Sequence, residues 1–291
     1  VIRSVHNFGV QGENFQAMFS YLNGGLVSYK YGGKEMLKMI PKPNFWRAPT
    51  DNDEGNLMPA RYGQGKLASM YLSHKKPSDG PYPESSNPDI KIQEDFAQIS
   101  YTYHMPTIPA SQCRLTYKVY GDGFIQTQLS YTPVKELGDM PEFGVMFKLD
   151  ADYEQVAWYG MGPEETYTDR CRGAKLGIYK NQVKDNMALY LNPQECGNKV
   201  GTRWASVTDK RGRGMLFTGD CMEFSALPYT PHELENARHP FELPQVHYTV
   251  VRVSKQQMGV GGDDSWGAKT HKEYLLNVEK EMEFTFGFKG I

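Results

Sequence analysis

Cysteine is scarce and scattered in this 291-residue chain, which has 4 of them: Cys113, Cys171, Cys196 and Cys221. None forms a C-x-x-C pair, so the spacing gives neither a zinc ribbon nor a redox dithiol. They are read as buried reduced thiols, with one or two disulfides as the alternative. The 7 histidines show no H-x-x-x-H spacing, and no zinc site is expected in this chain. A G-x-S-x-G nucleophile elbow is missing. No apolar stretch approaches the roughly 20 residues of a membrane span. The first ten residues carry no signal-peptide pattern, and the compartment stays undecided. The formal net charge is -2, without a basic run or an RNP-like strand, so no nucleic-acid partner is expected. Helix signals are also few.

Alternation with period 2 dominates what is there. Aromatics reach 13%, with 19 Tyr, a residue that favours strands and offers stacking faces to sugars. Residues 15–21 and 26–31 read as a hairpin across Asn23-Gly24-Gly25. Residues 113–120 and 124–131 read as another, across Gly121-Asp122-Gly123. In its second strand Ile125, Thr127, Leu129 and Tyr131 share one face and Phe124, Gln126, Gln128 and Ser130 the other; neither face is purely apolar, so the buried side stays open. Further strands are predicted over 143–149, 155–159, 202–207 paired with 215–218, 246–253, and 274–278 paired with 283–288. Strands at this spacing, joined by polar turns, predict an all-β antiparallel sandwich in a single domain spanning residues 1–291. Thr230-Pro231-His232-Glu233 fits a capping box that opens one short helix, to about Arg238. Residues 59–72 hold another turn or two. Residues 75–89, rich in Pro and Ser, read as an exposed loop.

Four segments concentrate chemistry. The first, residues 44–55, holds Trp46-Arg47-Ala48-Pro49-Thr50-Asp51-Asn52-Asp53-Glu54-Gly55. Asp51-Asn52-Asp53 could hold calcium, but the EF-hand pattern fails, with Asn56 where Gly is needed and Tyr62 where Glu is needed; the other reading is a loop whose Asp and Asn cap their own backbone. The second, Gly259-Val260-Gly261-Gly262-Asp263-Asp264-Ser265-Trp266, lets backbone approach another surface closely. It supplies carboxylates for hydroxyls and a flat aromatic face for a sugar ring, or it is simply a tight turn with a buried Trp. The third, residues 158–167, carries Gly160-Met161-Gly162, which lacks the third Gly and following helix of a dinucleotide fingerprint. Its adjacent Glu164 and Glu165 point to opposite sides of a strand and make a poor acid and nucleophile pair. In the fourth, residues 193–204, Glu195 and Arg203 are read as an ion pair.

These segments, in this order, resemble the C-terminal domain of family 2 β-galactosidases nearly end to end. The pieces that carry the resemblance are Trp46 to Asp53, Gly160 to Arg170, Gly201-Thr202-Arg203 and Met258 to Trp266, with the segment 225–244 in support. The resemblance implies a large antiparallel super-sandwich similar to galactose mutarotase, with one or two short helices. It implies a place at the end of a longer chain whose (β/α)8 barrel carries both catalytic glutamates. Retaining hydrolysis needs two carboxyl groups about 5 Å apart, and neither barrel motif is present, so no catalytic residue is expected here and the isolated chain is expected to be inactive. Trp266 is implied to stack on the sugar in the aglycone position. Asp264, Asp263, Asp53, Asp51 and Arg47 are its candidate companions in binding a β-galactoside, and Gly55 is a loop-hinge candidate. Magnesium and sodium are implied for the barrel of the complete enzyme, with no cofactor in this domain. The implied partners are the remaining domains, the barrel above all, and a homo-oligomer of the complete enzyme. A free-standing carbohydrate-binding module and a mutarotase-like aldose epimerase are the alternatives.

Overall fold

A computed structural model describes residues 1–76, 87–264, 266–277 and 279–291. The N-terminal strands β1 (Ile2–Arg3), β2 (Asn7–Gln11), β3 (Phe15–Ser20), β4 (Gly25–Tyr31) and β5 (Lys34–Glu35) form a five-stranded antiparallel sheet in chain order. The other strands form a branched sheet of twelve: β6 (Met39–Asn44), β7 (Asp89–Ile92), β8 (Phe96–Met105), β9 (Ser111–Tyr120), β10 (Ile125–Thr132), β11 (Glu142–Asp150), β12 (Gln155–Gly162), β13 (Lys175–Gln182), β14 (Lys199–Thr208), β15 (Gly214–Leu227), β16 (Tyr248–Gln257) and β17 (Met282–Gly290). The main path runs β13-β12-β14-β15-β17-β10-β9-β8-β7, and β16, β11 and β6 branch from β15. Every pairing is antiparallel. The predicted all-β antiparallel sandwich is therefore the observed architecture.

The branch lies within β15. Its first half, Met215 to Gly219, pairs with β17, and its second half, Glu223 to Leu227, pairs with β16. Between them Cys221 takes a left-handed backbone at φ +51°. A local kink of this kind re-aims the strand and lets one strand pair with two branches of the same sheet. It also carries Glu223 and Ser225 beneath the site described below.

The core explains the faces that the sequence leaves open. In β10 the buried side is Ile125, Thr127, Leu129 and Tyr131, because Ile125 and Leu129 stand opposite Val119 and Leu115 of β9. On its other side they meet Phe288 and Phe284 of β17. Aromatic rings tie the branches together: Phe147 of β11 lies 5.2 Å from Phe217 of β15 and 5.3 Å from Phe288 of β17, both edge to face. The small sheet shares this core. The Tyr29 hydroxyl donates to the Gly123 carbonyl at 2.8 Å and accepts from the Gly290 N–H at 3.0 Å, and Phe19 packs against Tyr117 at 5.3 Å.

Both predicted hairpins form, with Gly24 and Gly123 at positive φ, +66° and +89°. Three readings are corrected. Residues 51–55 are not a loop but the helix α1 (Asp51–Gly55), and residues 59–72 are not a turn or two but α2 (Met58–Tyr71). The strand predicted over 274–278 is absent among its described residues. A 3-10 turn, Lys272–Tyr274, stands at its start, and β17 pairs with β10 and β15 instead. The third helix, α3 (Pro231–Asn236), opens on the predicted Thr230 capping box. The loop expected at 75–89 falls largely outside the described residues.

Phe147→Ala is expected to lower stability by about 3–5 kcal/mol, read as a fall in the urea midpoint. Leu189→Ala, at a side chain 99% exposed, is expected to leave it within about 0.5 kcal/mol.

Candidate functional site

The four chemistry-bearing segments converge on one open cleft of about 500 Å³. The first contributes Thr50, Asp51 and Asn52, the second Val260 to Asp264, and the region of the third Tyr167 and Arg170; Tyr190, Gln194 and Glu195 complete the wall. They are far apart in sequence, and each arrives by a specific contact.

The first segment enters on Trp46, fully buried, whose indole N–H donates to Glu235 of α3 at 3.0 Å. Thr50 caps α1. Its hydroxyl accepts from the Asp53 N–H at 3.2 Å, and Asp53 accepts from the Thr50 N–H at 2.9 Å. This reciprocal capping box, T-D-N-D, is the signal for α1 that the sequence carries. Asp53 also meets Arg47 at 2.7 Å, both fully buried, and Arg47 donates to the Gly259 carbonyl at 3.1 Å. Arg47 and Asp53 thus join the first segment to the second from below. They are absent from the cleft wall, because each is covered and engaged by the other. The Asp53 charge keeps the Arg47 pKa raised against the opposing effect of burial.

The glycine-rich segment is gripped by a residue that sequence reasoning passed over. The Asp169 carboxylate accepts from the Val260 and Gly261 N–H groups at 3.1 and 2.8 Å. A Cβ at Gly259 would stand 2.6 Å from that same carboxylate, so close backbone approach is the reason for glycine here. Beyond it Asp264 accepts from the backbone N–H groups of Trp266 and Ala268 at 2.9 and 3.1 Å. Trp266 is not buried as a tight turn would have it: it is 90% exposed. Asp263 pairs with His271 at 2.7 Å in the open, and that contact raises the His271 pKa. Asp51 accepts from Gln194 at 2.9 Å and from Asn192 at 3.2 Å. Gly55 stands back to back with Gly267: a Cβ on Gly55 would lie 3.1 Å from the Gly267 Cα.

A charged layer lies under the wall. Arg252 of β16 is buried between Glu142, at 2.7 Å, and Glu195, at 2.6 and 2.8 Å. Burial opposes its charge, but the two carboxylates outweigh it and raise its pKa. The Tyr167 hydroxyl also donates to Glu195 at 3.4 Å. The ion pair expected between Glu195 and Arg203 does not form, because Arg252 takes both Glu195 oxygens; Arg203 donates to the Gly201 carbonyl and lies against the Tyr159 ring. Arg252 had a signal in the sequence: a lone cation within the apolar run Val250-Val251-Arg252-Val253 must find buried partners.

Glu223 is the third buried carboxyl group of this layer. It accepts from Asn198 at 2.8 Å and from the Gln257 N–H at 3.1 Å. Burial first, then the charges of Glu142 and Glu195, push its pKa up to about 8. Among the described residues all four cysteines are free thiols, Cys221 exposed, and no group of His, Cys, Asp or Glu is arranged to hold a metal.

The cleft can accept hydroxyl donors on its carboxylates and on the Tyr167 and Tyr190 oxygens, whose own protons go to Glu195 and Glu165, and polar groups of this kind suit polyol binding. Glu142 and Glu223 carry raised pKa values near it, yet both are buried below the wall.

Glu223 sets an expected pH dependence. Its folded pKa of about 8 lies above the ordinary 4.5, so between these values the native protein binds more protons than the unfolded chain. Its contribution is full below the lower value and is lost as pH rises through the upper one. Glu223→Gln is therefore expected to match the unsubstituted protein in urea midpoint at pH 5 and to exceed it at pH 9.

The β-galactosidase small chain family model matches residues 11–288. The β-galactosidase of Halalkalibacterium halodurans is 41% identical over 296 residues, covering 100% of this chain and 28% of that relative. That of Priestia megaterium is 42% identical over 283 residues, 97% of this chain and 26% of the relative. The chain thus spans little more than a quarter of these proteins. The β-galactosidase small subunit of Latilactobacillus sakei is 32% identical over 299 residues and is covered over 93% of its length. Among solved structures, the galactose 1-epimerase of Lactobacillus acidophilus superposes with a TM-score of 0.53 at 6% identity, over 98% of this chain and 94% of that one. This last likeness concerns the fold alone. With a family model matched over almost the whole chain and relatives above 40% identity, this protein belongs to the β-galactosidase small chain family.

Proposed function

We propose that the chain forms the non-catalytic wall of a β-galactosidase active site and contributes to binding the aglycone of terminal β-D-galactosides such as lactose. The observation that carries this reading is Trp266, a large aromatic side chain left in solvent while its backbone is fixed by Asp264 at the edge of the cleft. Leaving an indole in water forgoes roughly 1.5–3 kcal/mol of burial, which a ligand that covers its face recovers.

In this reading the catalytic glutamates and the retaining chemistry belong to the rest of the enzyme, and the isolated chain does not hydrolyse lactose. Asp51, Asp263 and Asp264 shape the wall and offer their remaining lone pairs to sugar hydroxyls. Arg47 and Asp53 act indirectly, by holding α1 and the Gly259 turn in register. Gly55 is the hinge: its contact with Gly267 couples the end of α1 to the Trp266 turn, and a larger residue there drives the two apart. The magnesium and sodium ions of the complete enzyme have no place in this wall, and its homo-oligomer forms around the assembled whole.

An epimerase reading needs a general acid and base converging on a sugar ring. The described cleft wall holds no histidine, so that reading lacks the usual acid. A stand-alone binding module would have to hold its sugar on this open wall without the rest of a galactose pocket, too little to offset the association entropy.

Trp266→Ala in the complete enzyme is expected to weaken inhibition by glucose up to about tenfold, the worth of a stacking contact of about 0.5–1.5 kcal/mol. Inhibition by galactose is expected to change little. Unchanged glucose inhibition would contradict the proposal.

A further inference from the structure

Lys199 opens β14, and only 4% of its surface is exposed. An ammonium group has three N–H bonds to satisfy. Here one donates to the Pro163 carbonyl at 3.3 Å, and the nitrogen stands over the Trp158 ring, 4.8 Å from its centroid. Among the described residues no carboxylate forms an ion pair with it. Lysine is almost never buried in this way without a charged partner. Burial lowers its pKa to about 8, against the raising effect of the Glu165 and Glu164 charges.

Pro163 and Trp158 belong with Lys199 to the wall of a cavity of about 380 Å³, which Glu164 of the following loop and Asn181 of β13 also line. This cavity shares no lining residue with the cleft. Asn181 is its second group with unmet bonding. The side-chain NH2 donates to Asn186 at 2.7 Å, while the amide oxygen is buried without a partner. A buried acceptor calls for a donor, and a hydroxyl on a bound molecule supplies one.

We infer that this cavity captures a small hydroxyaldehyde, with Lys199 joined to its carbonyl carbon as an imine and Asn181 accepting from its hydroxyl. Imine formation needs a neutral amine, and a desolvated lysine with a single oxygen partner supplies it. The Nζ lone pair attacks the carbonyl carbon and a C–N bond forms. The carbonyl C–O bond then breaks, its oxygen leaves as water with both amine protons, and a C=N bond remains. No electron is gained or lost. The face of Trp158 stabilises the protonated imine as it does the ammonium. The inference stands apart from the wall reading, because the two sites have no residue in common.

The test treats the full chain at pH 7 with glycolaldehyde and sodium cyanoborohydride, which reduces the imine to a stable amine. Labelled lysines are then mapped by peptide mass spectrometry. With a pKa of about 8, roughly one Lys199 amine in ten is neutral at pH 7, against fewer than about one in a thousand for an ordinary lysine. Lys199 is therefore expected to label at least about tenfold faster than the exposed Lys91 and Lys180, and to lose that lead when the chain is unfolded in urea. Acetaldehyde, which lacks the hydroxyl, is expected to give Lys199 a smaller lead, and Asn181→Ala is expected to make the two aldehydes equal. Lys199 labelled no faster than Lys91 overturns the inference, and the residue is then a cation held against Trp158 for the fold alone. A lead that survives in urea overturns it too, because the cavity would not be its cause. Equal leads for the two aldehydes in the unsubstituted chain overturn the hydroxyl contact with Asn181.

Discussion

The cleft depends on one buried charge. Arg252 sits in the middle of β16, among valines, and answers to Glu142 on β11 and Glu195 on the irregular segment that enters β14. Three charges out of water are expensive unless their hydrogen bonds are complete. Here the guanidinium is forked between two carboxylates, which makes the arrangement directional: only one placement of residues 193–198 brings Glu195 onto it. Removal of one partner from such a cluster typically costs 3–5 kcal/mol. The charge thus acts as a locating pin, and the wall residues Tyr190 and Gln194 take their places from it. The Arg47–Asp53 pair plays the same part for the opposite wall, where it holds both α1 and the Gly259 turn.

Backbone contacts finish what the charges begin. Asp169 holds the Gly259–Gly262 turn through two N–H groups, and Asp264 holds the Trp266 turn through two more. Nearly every carboxylate in the cleft therefore has a structural engagement before any ligand arrives. The geometry is prearranged, which reduces the entropy lost on binding.

How much of this was legible in the sequence follows from the range of each interaction. Hairpins marked by Asn23-Gly24 and Gly121-Asp122-Gly123 are local, and both are found where the turn residues put them. The motifs themselves were legible as concentrations of chemistry, and the structure brings them together. What was missed is non-local or hidden by a stronger local pattern. The helix α1 was masked by its turn-forming residues although Thr50 and Asp53 form a capping box. A strand at 274–278 was inferred from alternation, but β17 finds its partners in β10 and β15. A sequence reading pairs Glu195 with Arg203, eight residues away, because a sequence cannot show that Arg252 lies closer in space. Asp169 stands within the Gly160–Arg170 motif, but its hold on the Val260 and Gly261 N–H groups, like the burial of Glu223, comes from strands and turns that meet only in the folded sheet.

The central claim is that this chain completes a β-galactosidase site without performing the reaction. It is tested most directly with a chromogenic β-galactoside, offered to the purified chain alone and again after mixing with the remainder of a β-galactosidase that lacks its matched region. The account predicts no turnover by the chain alone, none by the remainder alone, and activity on mixing. Turnover by the chain alone would place a working carboxylate pair within it and contradict the account.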